Sequence, residues 1–199
     1  MVKYYQKESL TVSNAKMAPG RALPKVLILD RDGVVNYLVE RRDGYLSSPR
    51  SWEEFSVRED FKIFMQNLDS TIKVFVASNQ PEIKRGLSSV ELLEEITFYL
   101  LDNFRIGGIA YCLHDADDRC DCRKPSPGLL NFIVERENAD QGKAIFVGDT
   151  SRDRGAAHSA GVAFKLLSQT YNADLMCCDR LTSLTSLLSE LNPPKKGQG

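Results

Sequence analysis

Five short apolar runs, separated by stretches with helical spacing, constrain this chain more than any other feature. They fall at Val26–Leu29, Ile72–Ala77, Ile109–Tyr111, Ala144–Val147 and Val162–Leu167. Near-continuous apolar runs of this length, rich in β-branched residues, are the pattern of strands buried on both faces. The helical spacing between them is clearest from Val90 to Phe104, with apolar residues at 90, 92, 93, 96, 100, 101 and 104. It opens on the capping-box pattern Ser88-Ser89-Val90-Glu91. Pro127 suits the first turn of another helix, running to about Ala139. Leu181, Leu184, Leu187, Leu188 and Leu191 space out a closing amphipathic helix. Strands alternating with helices predict an α/β fold, a three-layer doubly wound parallel sheet. Ligands of such sheets bind beyond the carboxyl ends of the strands.

The 199 residues suit one domain with a substantial core. We place it at residues 25–192, after a polar arm or extra edge segment (1–24) that ends in Pro19-Gly20 and Pro24, and before a Pro-Pro-Lys-Lys tail (193–199) expected to be disordered. A formal net charge of −1 gives no electrostatic case for binding nucleic acid or an anionic membrane. No apolar stretch approaches a membrane span, and Gln6, Lys7, Glu8, Asn14 and Lys16 break up any signal-peptide core. The cytoplasm is therefore the expected compartment. The oligomeric state stays open, with a monomer the simplest case.

Four of the strand ends carry chemistry. After the first comes Asp30-Arg31-Asp32-Gly33-Val34-Val35-Asn36; after the second, Ser78-Asn79-Gln80. After the third, past a cysteine-rich loop, comes Arg123-Lys124-Pro125; after the fourth, Gly148-Asp149-Thr150-Ser151-Arg152-Asp153. Taken singly, each has an ordinary reading as an Asp-Gly turn, a helix cap or solvated charge. Two carboxylates at i, i+2 nevertheless resist joint ionisation unless a cation neutralises them or one holds a proton. Together the four loops offer a nucleophile, an acid, hydrogen-bond donors, a cation and acids for a hard metal ion. Phosphoryl transfer through an aspartyl-phosphate requires that set.

These four motifs, in this order, resemble the haloacid dehalogenase superfamily of phosphatases. The resemblance implies Asp30 as nucleophile and Asp32 as general acid, then as base for the hydrolytic water. It implies that Ser78 donates to the phosphate and that Lys124 steadies its charge. Mg²⁺ would be held by Asp30, the backbone carbonyl of Asp32, and Asp149, with Asp153 binding through water or orienting Lys124. Asn36, Asn79, Gln80, Arg123 and Thr150 are the expected substrate-binding residues.

Five cysteines are an odd number, and three of them, Cys112, Cys120 and Cys122, lie within eleven residues together with His114, one of only two histidines. That Cys₃His set suits a closed tetrahedral structural zinc rather than a disulfide framework. A zinc there would brace the loop that ends in Arg123 and Lys124. The acids at 115, 117, 118 and 121 read as solvated loop charge, His158 as a surface or packing residue, and the vicinal Cys177-Cys178 as packed thiols.

Cys-x-His…Cys-x-Cys-Arg-Lys-Pro resembles the branch of the superfamily that holds heptose bisphosphate and histidinol phosphate phosphatases. Asp43-Gly44-Tyr45, Arg85-Gly86 and Arg123-Lys124-Pro125-Ser126-Pro127-Gly128 favour the heptose side. The sequence departs from that pattern in a longer stretch between Asn36 and Gly44, and at Pro81-Glu82, Leu113 and Thr150. Asp32 and Asn79 are only 47 positions apart, too few for a large cap domain. An open site shaped by the Tyr37–Pro49 loop and the zinc loop is expected, with a phosphosugar as substrate. Arg123 is the better candidate for a second phosphate; Arg41 and Arg42 read as surface charge. A catalytically silent zinc module that binds a phosphorylated partner is the alternative of another class.

Overall fold

The computed structural model describes residues 2–6, 26–176 and 179–192. Among the described residues, nine strands and six α-helices follow one another: β1 (Lys3–Tyr5), β2 (Val26–Leu29), β3 (Val39–Glu40), β4 (Leu46–Ser47), α1 (Glu59–Asn67), β5 (Lys73–Asn79), α2 (Pro81–Lys84), α3 (Val90–Asn103), β6 (Ile106–Cys112), α4 (Gly128–Arg136), β7 (Ile145–Gly148), α5 (Ser151–Ala160), β8 (Ala163–Leu167), β9 (Arg180–Leu181) and α6 (Leu188–Leu191). Seven strands form one sheet in the order β1-β6-β5-β2-β7-β8-β9, parallel except for β1, which runs antiparallel to β6.

The pleat of β2 explains the three layers. Leu27 and Leu29 face the core shared with α1, α3 and the C-terminal turns, where Phe61, Phe64, Ile96 and Leu187 are buried. Val26 and Ile28 face the opposite core, with Leu129, Ile133 and Ala157 of α4 and α5. Full burial of each such Leu or Ile stabilises the fold by about 1.5–3 kcal/mol. From β2 the chain builds outward through β5 and β6, then returns to the other side of β2 with β7. The β2/β7 boundary is thus the topological switch point, where a crevice opens beyond the strand ends.

All five predicted strands are present. The long helix opens at Val90 as expected, with Ser89 as its cap: the Ser89 hydroxyl accepts from the Leu92 N–H. α4 stops at Arg136 because Asn138 turns left-handed (φ 48°), a conformation Asn tolerates. The closing helix is a correction. Leu181 lies in β9, Leu184–Leu187 form a 3-10 turn, and only Leu188–Leu191 is α-helical. Leu181, Leu184, Leu187 and Leu191 are buried all the same, so their spacing reported a covered face rather than a continuous helix. Of the expected arm, Lys3–Tyr5 is an edge strand; its remainder, the expected tail and Cys177-Cys178 lie outside the described residues. No helix among the described residues is long and apolar enough to cross a membrane.

Candidate active site

A cleft of about 450 Å³ lies over the switch point. Its floor is Asp30, Asp149 and Asp153, with Ser78, Asn79 and Lys124 on the β5 and β6 side. The β3–β4 hairpin contributes Tyr45, Leu46 and Ser47 to one wall, and Arg85 and Arg123 add charge. The sheet register brings these groups together. Leu29 pairs with Val76 on one side and Val147 on the other, so the strand ends carrying Asp30, Ser78 and Asp149 are adjacent.

Lys124 is 2% exposed and spends its ammonium protons inside the site. Nζ lies 2.8 Å from Asp30 Oδ1 and 2.6 Å from Asp153 Oδ1, and donates to the Ala77 carbonyl at 3.0 Å. Burial costs its charge, but Asp153 and Asp30 more than compensate and raise its pKa. Asn79 grips the Lys124 backbone on both sides: its Nδ2 donates to the Lys124 carbonyl at 3.0 Å, and its Oδ1 accepts the Lys124 N–H at 3.1 Å. Thr150 lines the cleft, but its hydroxyl caps α5 and donates to Asp153. A Cβ on Gly148 would lie 2.3 Å from the Asp153 Cβ, so glycine lets Asp153 pack against the strand end.

The two carboxylates of the first motif sit in opposite environments. Burial, with Asp153 beside it, pushes Asp30 up to about 7 despite the Lys124 charge. Burial would raise Asp32 as well. The buried Arg31 guanidinium, at 3.0 Å, outweighs this together with hydrogen bonds from Asn36 and Gln80, and holds Asp32 below the usual carboxylate range. Asn36 Nδ2 donates to Asp32 Oδ1 at 3.0 Å; Gln80 Nε2 and the Ser48 hydroxyl donate to Oδ2 at 2.6 and 3.0 Å. Asn36 and Gln80 do not line the cleft. Their amide N–H groups donate within the fold: both reach Asp32, Asn36 also the Tyr37 carbonyl and Gln80 also the Ser78 hydroxyl. Arg31, the residue between the two acids, holds Asp32 from within the core.

The acid trio fits a hard divalent cation. One oxygen from each of Asp30, Asp149 and Asp153 lies within 4.8 Å of the others, and Asp149 Oδ1 is buried without a hydrogen-bond partner. Burial and the two neighbouring carboxylates raise Asp149 well above its ordinary value, an excess of negative charge that such a cation offsets.

A second cluster lies beside the cleft. Cys112 Sγ is 3.4 Å from Cys122 Sγ and 3.7 Å from Cys120 Sγ, and Cys120 and Cys122 are 3.6 Å apart. His114 Nδ1 is 3.4 Å from Cys112 Sγ and 3.3 Å from Cys122 Sγ. A tetrahedral ion with metal–sulfur bonds of about 2.3 Å sets its sulfurs about 3.8 Å apart, so the four groups fit zinc. The loop acids are less free than expected. Asp115 pairs with Arg85 and Asp118 with Lys84, tying this loop to α2, while His158 is exposed on α5. Arg123 lines the cleft and donates to the His114 carbonyl at 3.0 Å. Arg41, expected on the surface, is a half-buried tie whose guanidinium meets Glu54, Ser47 and the Ser48 carbonyl. Arg42 is exposed.

Tyr171 follows β8, outside every motif, and was missed by sequence reasoning. Its ring lines the cleft and its hydroxyl donates to Asp149 Oδ2. Nothing in the run Ser168-Gln169-Thr170-Tyr171 distinguishes it from an ordinary loop.

A central parallel sheet with an aspartate pair at the switch point, a lysine bridging two acids, and an acid trio defines the fold of a phosphoryl-transfer hydrolase. The chain belongs to the haloacid dehalogenase-like hydrolase family, whose family model matches residues 53–166. It is 36% identical to the D-glycero-beta-D-manno-heptose-1,7-bisphosphate 7-phosphatase of Pseudomonas putida over 142 residues, 69% of this chain and 78% of that protein. The Neisseria meningitidis protein of the same name is 35% identical over 69% of this chain and 73% of its own length. Among solved structures, the D,D-heptose 1.7-bisphosphate phosphatase of B. bronchiseptica, complexed with magnesium and phosphate, superposes with a TM-score of 0.71 at 29% identity, covering 84% of this chain and 97% of that one.

Proposed function

We propose that the protein is a Mg²⁺-dependent phosphatase that removes the 7-phosphate of D-glycero-D-manno-heptose 1,7-bisphosphate through an aspartyl-phosphate on Asp30. The observation that carries the reading is Asp30 at the cleft floor, paired to Lys124 at 2.8 Å beside Asp149 and Asp153, in a chain whose relatives bear that name.

Asp30 Oδ1 accepts the Arg31 N–H at 2.8 Å as well as pairing with Lys124, so Oδ2 is the oxygen left to attack phosphorus. The Ser78 hydroxyl accepts from Gln80 Nε2 at 2.9 Å, which orients its own proton toward a phosphate oxygen. Lys124 favours the ionised, attacking form of Asp30 against the burial that raises its pKa, and shares the charge of the transferring group. Asp32, ionised in the free site, takes up a proton from solvent as substrate binds and passes it to the leaving sugar oxygen. The approach of a phosphate dianion raises its pKa, as like charges do. Once the sugar has left, the four donors around Asp32 favour its ionised form, which takes a proton from the hydrolytic water. A positioned acid supplies perhaps 10²–10⁴ of the acceleration. Phosphate monoester hydrolysis requires up to about 10²¹, so electrostatics carries much of the remainder.

Asp30, Asp149 and the Asp32 carbonyl would hold Mg²⁺, with Asp153 behind them. The ion supplies positive charge to the transferring oxygens. Zinc on Cys112, His114, Cys120 and Cys122 would brace the loop that presents Arg123 and Lys124, because protein fills all four positions. Arg123 faces the cleft and suits a second phosphate.

The test is phosphate release from the heptose bisphosphate and from histidinol phosphate, each with Mg²⁺. Turnover of the heptose bisphosphate at least tenfold above that of histidinol phosphate is expected. Release from histidinol phosphate alone would overturn the substrate assignment, and no release from either would favour a binding module.

A further inference from the structure

We infer that Tyr171 is a positioning residue for metal binding, holding one oxygen of Asp149 so that the other is presented to the cation. This rests on the proposed Mg²⁺ site but adds to it a residue from a fifth strand end, outside all four motifs.

Three side chains of the short turn after β8 reach back to the site. The Tyr171 hydroxyl donates to Asp149 Oδ2. Asn172 Nδ2 donates to the Asp149 carbonyl at 2.8 Å and to the Leu167 carbonyl at 2.9 Å. Gln169 Nε2 donates to the Gly33 carbonyl at 3.2 Å, tying the turn to the first motif. Gly33 makes room for the contact: at φ 89°, a Cβ there would lie 2.1 Å from Asp149 Oδ2 and 2.7 Å from the Tyr171 hydroxyl.

The two Asp149 oxygens are therefore unequal. Oδ2 has a protein donor, whereas Oδ1 is buried and has none. A phenol has one proton to give, and giving it to Oδ2 fixes the plane of the carboxylate. One Asp149 oxygen lies with the Asp30 and Asp153 oxygens in the 4.8 Å cluster, and Oδ1 is the one left without a donor. Hydrogen bonds to a ligating carboxylate from behind hold its orientation, and losing one typically weakens metal affinity about 10–100-fold.

The experiment is calorimetric titration of Mg²⁺ into metal-free full-length protein, for the unaltered chain, Tyr171→Phe, Tyr171→Ala and Asp149→Asn, with melting temperatures alongside. Tyr171→Phe keeps the ring, which is 42% exposed, so its fold should persist. A 10–100-fold weaker Kd is expected for Tyr171→Phe, a similar loss for Tyr171→Ala, and no measurable binding for Asp149→Asn. The Mg²⁺ concentration for half-maximal rate should rise in parallel in Tyr171→Phe, with most of kcat regained at saturating Mg²⁺. Unchanged affinity in Tyr171→Phe while Asp149→Asn binds nothing would overturn the inference and leave the metal site standing. A loss confined to Tyr171→Ala would assign the effect to ring packing and overturn it too. Undiminished binding by Asp149→Asn would instead refute the metal-site reading beneath it.

Discussion

The acid trio and the thiol–imidazole cluster are both sets of ligand atoms within 4.8 Å, yet they are built in opposite ways. Asp30 follows β2, whereas Asp149 and Asp153 lie far along the chain, after β7 and in the first turn of α5, and the β2–β7 register brings the two segments together. Lys124 already offsets part of their charge. Cys112 ends β6, while His114, Cys120 and Cys122 come from the loop after it, with the short 3-10 turn Ala116–Asp118 as its regular structure. Sheet hydrogen bonds assemble the first cluster; the second, with little regular structure of its own, would take its shape from an ion. A cation in the acid trio should therefore matter to chemistry and little to fold, whereas zinc in the loop should matter to both.

Asp30→Asn gives the sharpest test of the first half of that contrast. Phosphate release should fall on the order of 10⁴-fold or more, the scale of removing a nucleophile, with the circular dichroism spectrum unchanged. Retained turnover would break the aspartyl-phosphate mechanism. The second half is tested by Cys122→Ser. Zinc content should drop from about one per chain to none, the melting temperature should fall, and kcat should drop about 10–100-fold because Arg123 and Lys124 follow directly. Full activity in zinc-free protein would mean the loop holds its shape alone.

The smallest expected effect lies at the hairpin wall. Arg41→Ala removes the tie to Glu54 and the Ser47-Ser48 segment, whose Ser48 hydroxyl reaches Asp32. The pair is partly exposed, so a loss of about 0.5–1 kcal/mol is expected in chemical denaturation. Arg41 lowers the Glu54 pKa from its ordinary 4.5, so the folded state binds this proton less readily than the unfolded chain. The pair's stabilisation is present above that value and lost as the pH falls through the depressed pKa. Arg41→Ala should flatten that part of the acid limb of the stability curve. An unchanged limb would show that Arg41 acts through the Ser48 carbonyl alone.

Much of the fold was legible because period and burial agreed. Val26–Leu29 is buried on both faces and reads as such. The catalytic motifs were legible because each follows a strand, and a parallel sheet aligns strand ends. Where the Asn36 and Gln80 amides point is not legible in the sequence, because packing around Asp32 decides it. The closing helix misled because Leu181, Leu184, Leu187 and Leu191 are buried, and i, i+3, i+4 spacing reports burial as readily as continuity. Tyr171 had no signal at all. Its importance comes from the proximity of β8 to β7, which no local pattern encodes.

The first described residues have a consequence for handling the protein. Lys3–Tyr5 pairs with Tyr111, Ala110 and Ile109 along the outer side of β6, and Glu94 of α3 accepts from both Lys3 and Tyr5. Ile106–Cys112 is almost wholly apolar, and as an open edge it would be a template for pairing with a second molecule. Three residues at the start of the chain therefore act as a guard against self-association. Trimming them, or fusing a bulky tag against them, should raise the tendency to self-associate while leaving the cleft in place.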